Sequence, residues 1–210
     1  MNQKLISVVT PCYNEQDNVE LIYTQVKEIF DELGNYEYEH IFIDNDSQDK
    51  TLSLLENMAQ KDLRVKVIVN ARNFGFVRSL YHGLLQGTGD AVVLIFADLQ
   101  DPPELIIDFL QKWEEGYQVV KGIKISSQEN PLIYSIRRFY YYLVSILAEE
   151  VELTSNFTGF GLYDKQVIEA LRLIDDPYPY LKGLISEVGF HSTNIEYNQK
   201  VRKRGKSSFN

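Results

Sequence analysis

Cysteine occurs once in 210 residues, at Cys12, so no intrachain disulfide can form, which fits a reducing compartment. Read alone, Cys12 is a small buried residue. Long apolar runs are also missing. None approaches the roughly 20 residues of a membrane-crossing helix, so the chain as given is not expected to span a bilayer. No basic-then-apolar leader precedes the first strand-like segment, and the chain reads as cytoplasmic. Positive charge is short as well, with 21 Lys and Arg against 30 Asp and Glu and a net charge of −9. That balance excludes a general nucleic-acid binder, which needs a basic surface to displace counterions, although local basic clusters can still hold phosphate. There is no internal repeat and no low-complexity tract. With 44% hydrophobic and 24% charged residues, the composition is that of an ordinary globular chain long enough for one large domain.

Strand and helix signals alternate along the first half. Leu5 to Thr10 reads as a buried strand, and Val19, Ile22, Val26, Ile29 and Leu33 recur at helical spacing until Gly34. Tyr38 to Ile43 and Val65 to Val69 read as strands, and Asp49 to Met58 and about Val77 to Gln86 as helices. The uninterrupted apolar run Ala91 to Ala97 suits a strand buried on both faces. Three strand–helix units before that run predict an α/β fold with a doubly wound, mainly parallel sheet and helices on both faces. A helix from Pro103 to about Glu115, a strand from Gln118 to Ile125, a helix from Gln166 to about Ile174 capped by Asp164, a short helix from Tyr180 to Val188 and a strand from Ser192 to Tyr197 complete the pattern. Between them, the glycine-punctuated segment Ser155 to Tyr163 offers a place where backbone approaches a ligand closely.

The central apolar run ends in Asp98-Leu99-Gln100-Asp101-Pro102-Pro103. Its acids therefore fall at the carboxyl end of a central strand, the edge where open α/β sheets bind ligands. Oxygen donors there suit a hard cation such as Mg²⁺ or Mn²⁺ carrying a diphosphate. The alternative is that Asp98 and Asp101 only cap the helix that follows.

Five separated segments carry a more specific signal. They are Val8-Val9-Thr10-Pro11-Cys12-Tyr13-Asn14-Glu15, Asp44-Asn45-Asp46-Ser47-Gln48-Asp49-Lys50-Thr51, Ala71-Arg72-Asn73-Phe74-Gly75, Asp98-Leu99-Gln100-Asp101-Pro102-Pro103 and Arg204-Gly205-Lys206-Ser207. In this order, over nearly the whole chain, they resemble glycosyltransferase family 2 with its GT-A fold, and within it the polyprenyl-phosphate sugar transferases. The resemblance implies a single GT-A domain over 1–210, with a nucleotide-sugar part over about 1–125 and an acceptor part over about 126–210. It implies a UDP- or GDP-linked sugar donor held by Pro11, Tyr13, Glu15, Asp44 and Asp98, with the Tyr13 ring available to stack on the base. It implies Asp98 and Asp101 as catalytic groups, and Mg²⁺ or Mn²⁺ at Asp98 and Gln100.

Two positions depart from that pattern. Phe96 stands where family members usually carry the first aspartate of a D-x-D pair, and Gly159 stands where many relatives carry a candidate general base. The second loss has a chemical reading. A hydroxyl acceptor must shed a proton, and a positioned base contributes roughly 10²–10⁴-fold. A lipid phosphate, with a second pKa near ~6, is already largely dianionic and needs only cations to steer it.

On that reading Lys124, Arg137, Arg138, Arg202, Arg204, Lys206 and Ser207 are the acceptor-phosphate candidates, whereas Lys203 is left as a solvated charge. The ordinary fate of such a basic terminal run is a solvated tail. The stretch 131–147, apolar on nearly all sides but carrying four tyrosines and two arginines, is either core or a helix lying in a membrane interface. The expected partners are therefore a nucleotide-diphosphate sugar, a polyprenyl phosphate and a membrane surface, with no nucleic acid, at the cytoplasmic face of the cell membrane. The resemblance also admits a homo-oligomer. The rival functions are transfer to a hydroxyl of a cell-surface polysaccharide and a catalytically silent nucleotide-sugar-binding module.

Overall fold

The structure, a computed structural model, describes residues 3–125, 156–174 and 176–200. The expected helix over 131–147, Arg137, Arg138 and the basic segment with Arg202, Lys203, Arg204, Lys206 and Ser207 lie outside the described residues. In chain order the elements are β1 (Lys4–Cys12), α1 (Val19–Leu33), β2 (Tyr36–Asp44), α2 (Thr51–Lys61), β3 (Val65–Val69), α3 (Phe76–Leu84), β4 (Ala91–Leu94), α4 (Leu105–Glu114), β5 (Val119–Lys124), β6 (Phe157–Asp164), α5 (Lys165–Arg172), α6 (Leu181–Glu187) and β7 (Ser192–Tyr197).

The strands form one seven-stranded sheet in the order β3-β2-β1-β4-β6-β5-β7. β1 pairs parallel with β2 and β4, β2 with β3, and β5 with β7, whereas β6 runs antiparallel to both of its neighbours. One strand is reversed and the other six point the same way. Their carboxyl ends therefore share a single edge of the sheet with the amino end of β6.

Alternation along the strands divides the core into two. Ile6 and Val8 of β1, Phe42 of β2 and Val93 and Ile95 of the central run pack against α1, α2 and α4 through Ile22, Leu55 and Phe109. Val9, Ile41, Ile43, Val92 and Leu94 face the other way, onto Leu80 and Leu84 of α3, Ile168 of α5 and Leu181 of α6. Period-two side chains in a sheet covered on both faces produce this division. The helices carry apolar stripes that match it, and α1 ends where Gly34 adopts φ 61° and donates its N–H to the Phe30 carbonyl at 3.1 Å.

The glycine-punctuated segment is a sheet-interior strand. The backbone it approaches is that of β5. A Cβ on Gly161 would lie 2.3 Å from the Val120 carbonyl oxygen. Neighbouring backbone cannot yield as a side chain can, so Gly161→Ala should destabilise by about 1–3 kcal/mol, the range for overpacking a filled interior. Thermal unfolding read by circular dichroism checks it. An unchanged midpoint would mean that β5 and β6 do not meet as described.

His40 is fully buried on β2, with Nε2 2.9 Å from Thr10 Oγ1 and its ring stacked on Phe42 at 4.0 Å between centroids. Burial pushes its pKa down to about 3. The folded state therefore holds a neutral imidazole at a pH where the unfolded chain, with a value near ~6.5, binds a proton. Stability contributed by this group is full above the unfolded value and is lost as pH falls towards the folded one. The contribution declines by up to about 1.4 kcal/mol per pH unit over that window. Denaturant titrations at several pH values should show His40→Gln to be less acid-sensitive than the parent chain over that window. Equal slopes would contradict a neutral buried imidazole.

Candidate functional site

Backbone ladders end together at the shared edge and hand over to loops that are hydrogen-bonded to one another. Asn45 N–H donates to the Cys12 carbonyl at 2.9 Å and Asn70 N–H to the Asp44 carbonyl at 2.9 Å, each one residue beyond the regular pairing. The first two loops interlock. Asn14 N–H donates to Ser47 Oγ at 3.0 Å, Gln48 N–H to Asn14 Oδ1 at 2.8 Å, and Glu15 N–H to Thr51 Oγ1 at 2.8 Å. The third joins them through buried Asn45, whose Oδ1 accepts from Asn70 Nδ2 at 2.9 Å and Phe74 N–H at 3.1 Å, while its Nδ2 donates to Asn73 Oδ1 at 2.9 Å. Sequence reading assigned Asn45 no role. The only sequence sign of it was the pair of asparagines, Asn70 and Asn73, that it binds.

Backbone conformation marks the same edge. Among the described residues, the non-glycine residues at positive φ are Asn14 (54°), Asp46 (66°), Leu99 (56°) and Asn156 (68°), and each lies on a loop at this edge. Such angles are costly for a side chain as bulky as leucine and concentrate where surrounding structure fixes a functional loop.

Asp44 closes β2 and is 1% exposed. Its Oδ2 accepts from Ser47 N–H at 3.1 Å, but Oδ1 is buried without a hydrogen-bond partner. A buried acceptor in that condition costs about 1–3 kcal/mol unless a donor reaches it. Glu15, also buried, accepts from Asn18 Nδ2 at 2.7 Å, and Pro11 and Tyr13 are partly exposed on the loop beside it. Cys12, register partner of Asp44, is neutral and inert, since burial first and the charges of Glu15, Asp44 and Asp49 next push its thiol pKa up.

The acidic motif leaves the sheet after Ile95, whose N–H still donates to the Val9 carbonyl at 3.0 Å. Neither aspartate caps α4, which has no side-chain cap. Half-buried Asp98 accepts from Gln100 N–H through Oδ1 at 3.1 Å. Asp101 is 1% exposed and accepts from Tyr197 Oη at 2.5 Å and Gln199 Nε2 at 3.2 Å, which ties the motif to the end of β7. Burial raises the Asp101 pKa, opposed by the Tyr197 hydroxyl and the nearby Lys124 charge. Lys124, at the end of β5, thus stands at the same edge. Gln100 joins the motif to the chain's last described residue, its carbonyl accepting from Lys200 N–H at 2.9 Å.

Both departures from the motif pattern are apolar in their surroundings. The Phe96 ring lies 5.4 Å from that of Phe76. Gly159 adopts φ 105°, and a Cβ there would meet Leu181 and Leu94 at 3.3 Å and Leu80 at 3.9 Å. A carboxylate at 159 would sit among leucines. Asp164, the nearest later acid, is at the opposite edge, opposite Ala91, and caps α5 by accepting from Gln166 N–H at 2.8 Å.

Among the described residues no cluster of three or more His, Cys, Asp or Glu could hold a metal by itself. Asp98 with partly exposed Gln100 supplies oxygen donors only, a set that fits Mg²⁺ or Mn²⁺ when a diphosphate and water complete the shell. A cavity of about 450 Å³ opens at the other edge of the sheet, lined by Phe30, Tyr36, Tyr38 and Arg64. Its one cation, Arg64, is already paired, 2.7 Å from Asp62 and 3.6 Å from Asp31.

Comparison with known proteins agrees with this geometry. The model of Glycosyl transferase family 2 matches residues 7–172. The chain is 32% identical over 203 residues to the uncharacterized glycosyltransferase YkcC of Bacillus subtilis, covering 97% of this chain and 62% of that protein. It is 33% identical over 205 residues to the bactoprenol glucosyl transferase of Shigella phage SfX, covering 98% and 67%. The chain thus spans less than two-thirds of the first of these relatives. Glucosyl-3-phosphoglycerate synthase from Mycobacterium tuberculosis, solved with Mn²⁺, UDP and phosphoglyceric acid, superposes with a TM-score of 0.62 at 19% identity, covering 97% of this chain and 72% of that one. Mannosyl-3-phosphoglycerate synthase from Rubrobacter xylanophilus superposes with a TM-score of 0.63 at 17% identity, covering 96% and 68%. The fold is the GT-A glycosyltransferase fold, and the chain belongs to glycosyl transferase family 2.

Proposed function

We propose that this family 2 transferase moves a sugar from a nucleotide-diphosphate sugar to a polyprenyl phosphate at the cytoplasmic membrane face, with inversion at the anomeric carbon. The relatives named bactoprenol glucosyl transferase support the acceptor class. The observation that carries it is the leucine-walled position at Gly159, where this chain carries no carboxylate and a Cβ would meet Leu181 and Leu94 at 3.3 Å. A hydroxyl acceptor would lack its base there, whereas a phosphate dianion arrives already deprotonated.

The base and ribose of the donor lie over Pro11, Tyr13 and Glu15, and a donor N–H of the base satisfies the unpartnered Oδ1 of Asp44. Asp98 and Gln100 face the diphosphate. A divalent cation held jointly by them and the phosphates would neutralise the charge that develops on the leaving nucleoside diphosphate. Asp101 acts as a positioning residue, because its carboxylate is engaged by Tyr197 and Gln199. Lys124, with Arg137, Arg138, Arg202, Arg204, Lys206 and Ser207, supplies cations and donors for the acceptor phosphate. The described chain ends on either side of that set support this. Ile125 N–H bonds the Tyr197 carbonyl at 2.9 Å and Lys200 N–H bonds the Gln100 carbonyl at 2.9 Å, so residues 125 and 200 both stand at the donor edge.

Three experiments test the assignment. Asp44→Asn keeps an acceptor for Ser47 N–H and turns a donor towards the base, so calorimetric titration with UDP and GDP should find affinity for the native nucleotide reduced about 10–100-fold. Unchanged affinity would remove Asp44 from the donor site. Nucleotide sugar with Mn²⁺ should raise the thermal midpoint by mass action, and Asp98→Ala should abolish the metal-dependent part of the rise. In the same preparations, radiolabelled sugar should enter a mild-acid-labile lipid. Label appearing in a polymer instead would select the polysaccharide acceptor, and binding without turnover on any polyprenyl phosphate would select a silent binding module.

A further inference from the structure

Leu99 holds a φ of 56° between Asp98 and Gln100, and the segment that faces this backbone is the end of β7. Tyr197 Oη donates to Asp101 Oδ1 at 2.5 Å, Gln199 Nε2 to the same oxygen at 3.2 Å, and Lys200 N–H to the Gln100 carbonyl at 2.9 Å. The Gln100 side chain answers, its Nε2 donating to the Lys200 carbonyl at 3.4 Å. Four hydrogen bonds thus join two segments 96–100 positions apart. The end of β7 is itself anchored. Tyr197 is buried, its ring meets that of Phe160 edge-on at 5.5 Å between centroids, and its carbonyl accepts from Ile125 N–H at 2.9 Å. A bulky residue keeps a positive φ only where its surroundings over-determine the backbone, and these bonds do so beside Leu99.

From these contacts we propose that Tyr197, Gln199 and the Lys200 carbonyl form a brace that presets Asp98 and Gln100 to receive a divalent cation, with Tyr197 and Gln199 as positioning residues. The brace rests on the reading above that Asp98 and Gln100 hold Mg²⁺ or Mn²⁺ together with the donor diphosphate. An amide carries an oxygen at one end and an NH₂ at the other, and only the oxygen can bind a cation. A carbonyl accepts from the NH₂ end alone. With Nε2 turned to the Lys200 carbonyl, Oε1 is the end left for the metal. Asp101, bonded by two donors from the β7 end, keeps the Gln100 backbone against Lys200 so that this orientation persists. Partners that orient a metal's ligands in advance typically govern affinity by about 10–100-fold. The effect weighs more in this chain, because Phe96 supplies no oxygen and a neutral amide must do part of what a second carboxylate would.

Titration of the full chain with Mn²⁺ in the presence of UDP or GDP, read by loss of the free-ion electron paramagnetic resonance signal, tests the brace. Calorimetry with the same nucleotides in EDTA measures donor affinity without metal. Tyr197→Phe keeps the ring on Phe160 and removes the hydroxyl, and Gln199→Leu removes the second donor. Each should weaken Mn²⁺ binding several-fold and the two together by about 10–100-fold, with nucleotide affinity in EDTA unchanged. Gln199 is partly exposed, so Gln199→Leu reports on the brace even where Tyr197→Phe lowers the yield of folded protein. Parent-like Mn²⁺ affinity in the folded variants would overturn the brace. So would equal losses of Mn²⁺ affinity and of metal-free nucleotide affinity, which mark a general loosening of the fold. Asp98→Ala separates this failure from that of the metal reading. If Asp98→Ala loses the ion while the brace variants keep it, the brace alone fails, and if Asp98→Ala holds Mn²⁺ as the parent does, the metal reading fails and the brace with it.

Discussion

The bonds from Asn45 N–H to the Cys12 carbonyl and from Asn70 N–H to the Asp44 carbonyl extend two parallel ladders past the last regular pair. Parallel strands finish at a common edge, and their terminal carbonyls need donors that the ladder no longer supplies. Here the following loops supply them. Each loop is thereby anchored to the strand beside it, and the side chains of Asn14, Asn45 and Ser47 bind the loops to one another. Positive φ at Asn14 and Asp46 persists because this network over-determines the backbone there. Asp44 is consequently held rigid with one oxygen satisfied and one not, as preorganised recognition requires.

The same edge shows how the chain differs from the motif it resembles. Phe96 and Gly159 are each set in apolar surroundings, one against Phe76 and the other among Leu80, Leu94 and Leu181. Neither change leaves a vacant polar pocket where a carboxylate has merely been trimmed. The packing is adapted to the residues present. At the end of β4, Asp101 accepts from both Tyr197 and Gln199 through Oδ1 and so holds β7 to the motif. Under the proposed function, the substrates of this reaction would both bear phosphate and bring their own charges to be oriented.

Much of this was legible in the residues. Period-two and period-three-to-four patterns placed the strands and helices through Glu115 to within a few residues, and the run ending before Asp98 placed the acidic motif at the carboxyl edge of the sheet. The reversal of β6 was not legible. Thr158-Gly159-Phe160-Gly161 carries no strand signal because its glycines lack β propensity, and tertiary context overrides that, with Gly161 small because the β5 backbone passes beside it. The asparagine network was also hidden, since bonds between residues some 25 positions apart leave no local pattern. The Asp101–Tyr197 bond joins residues 96 positions apart and is invisible for the same reason.

Hydrogen exchange with and without a nucleoside diphosphate and Mn²⁺ tests most directly whether the loops at the carboxyl ends of the strands hold the donor. The account requires protection concentrated in residues 11–16, 44–51 and 95–101, with none added at residues 34–38 on the other edge. Protection centred on the cavity lined by Phe30, Tyr36, Tyr38 and Arg64, with the three loops unchanged, would contradict it.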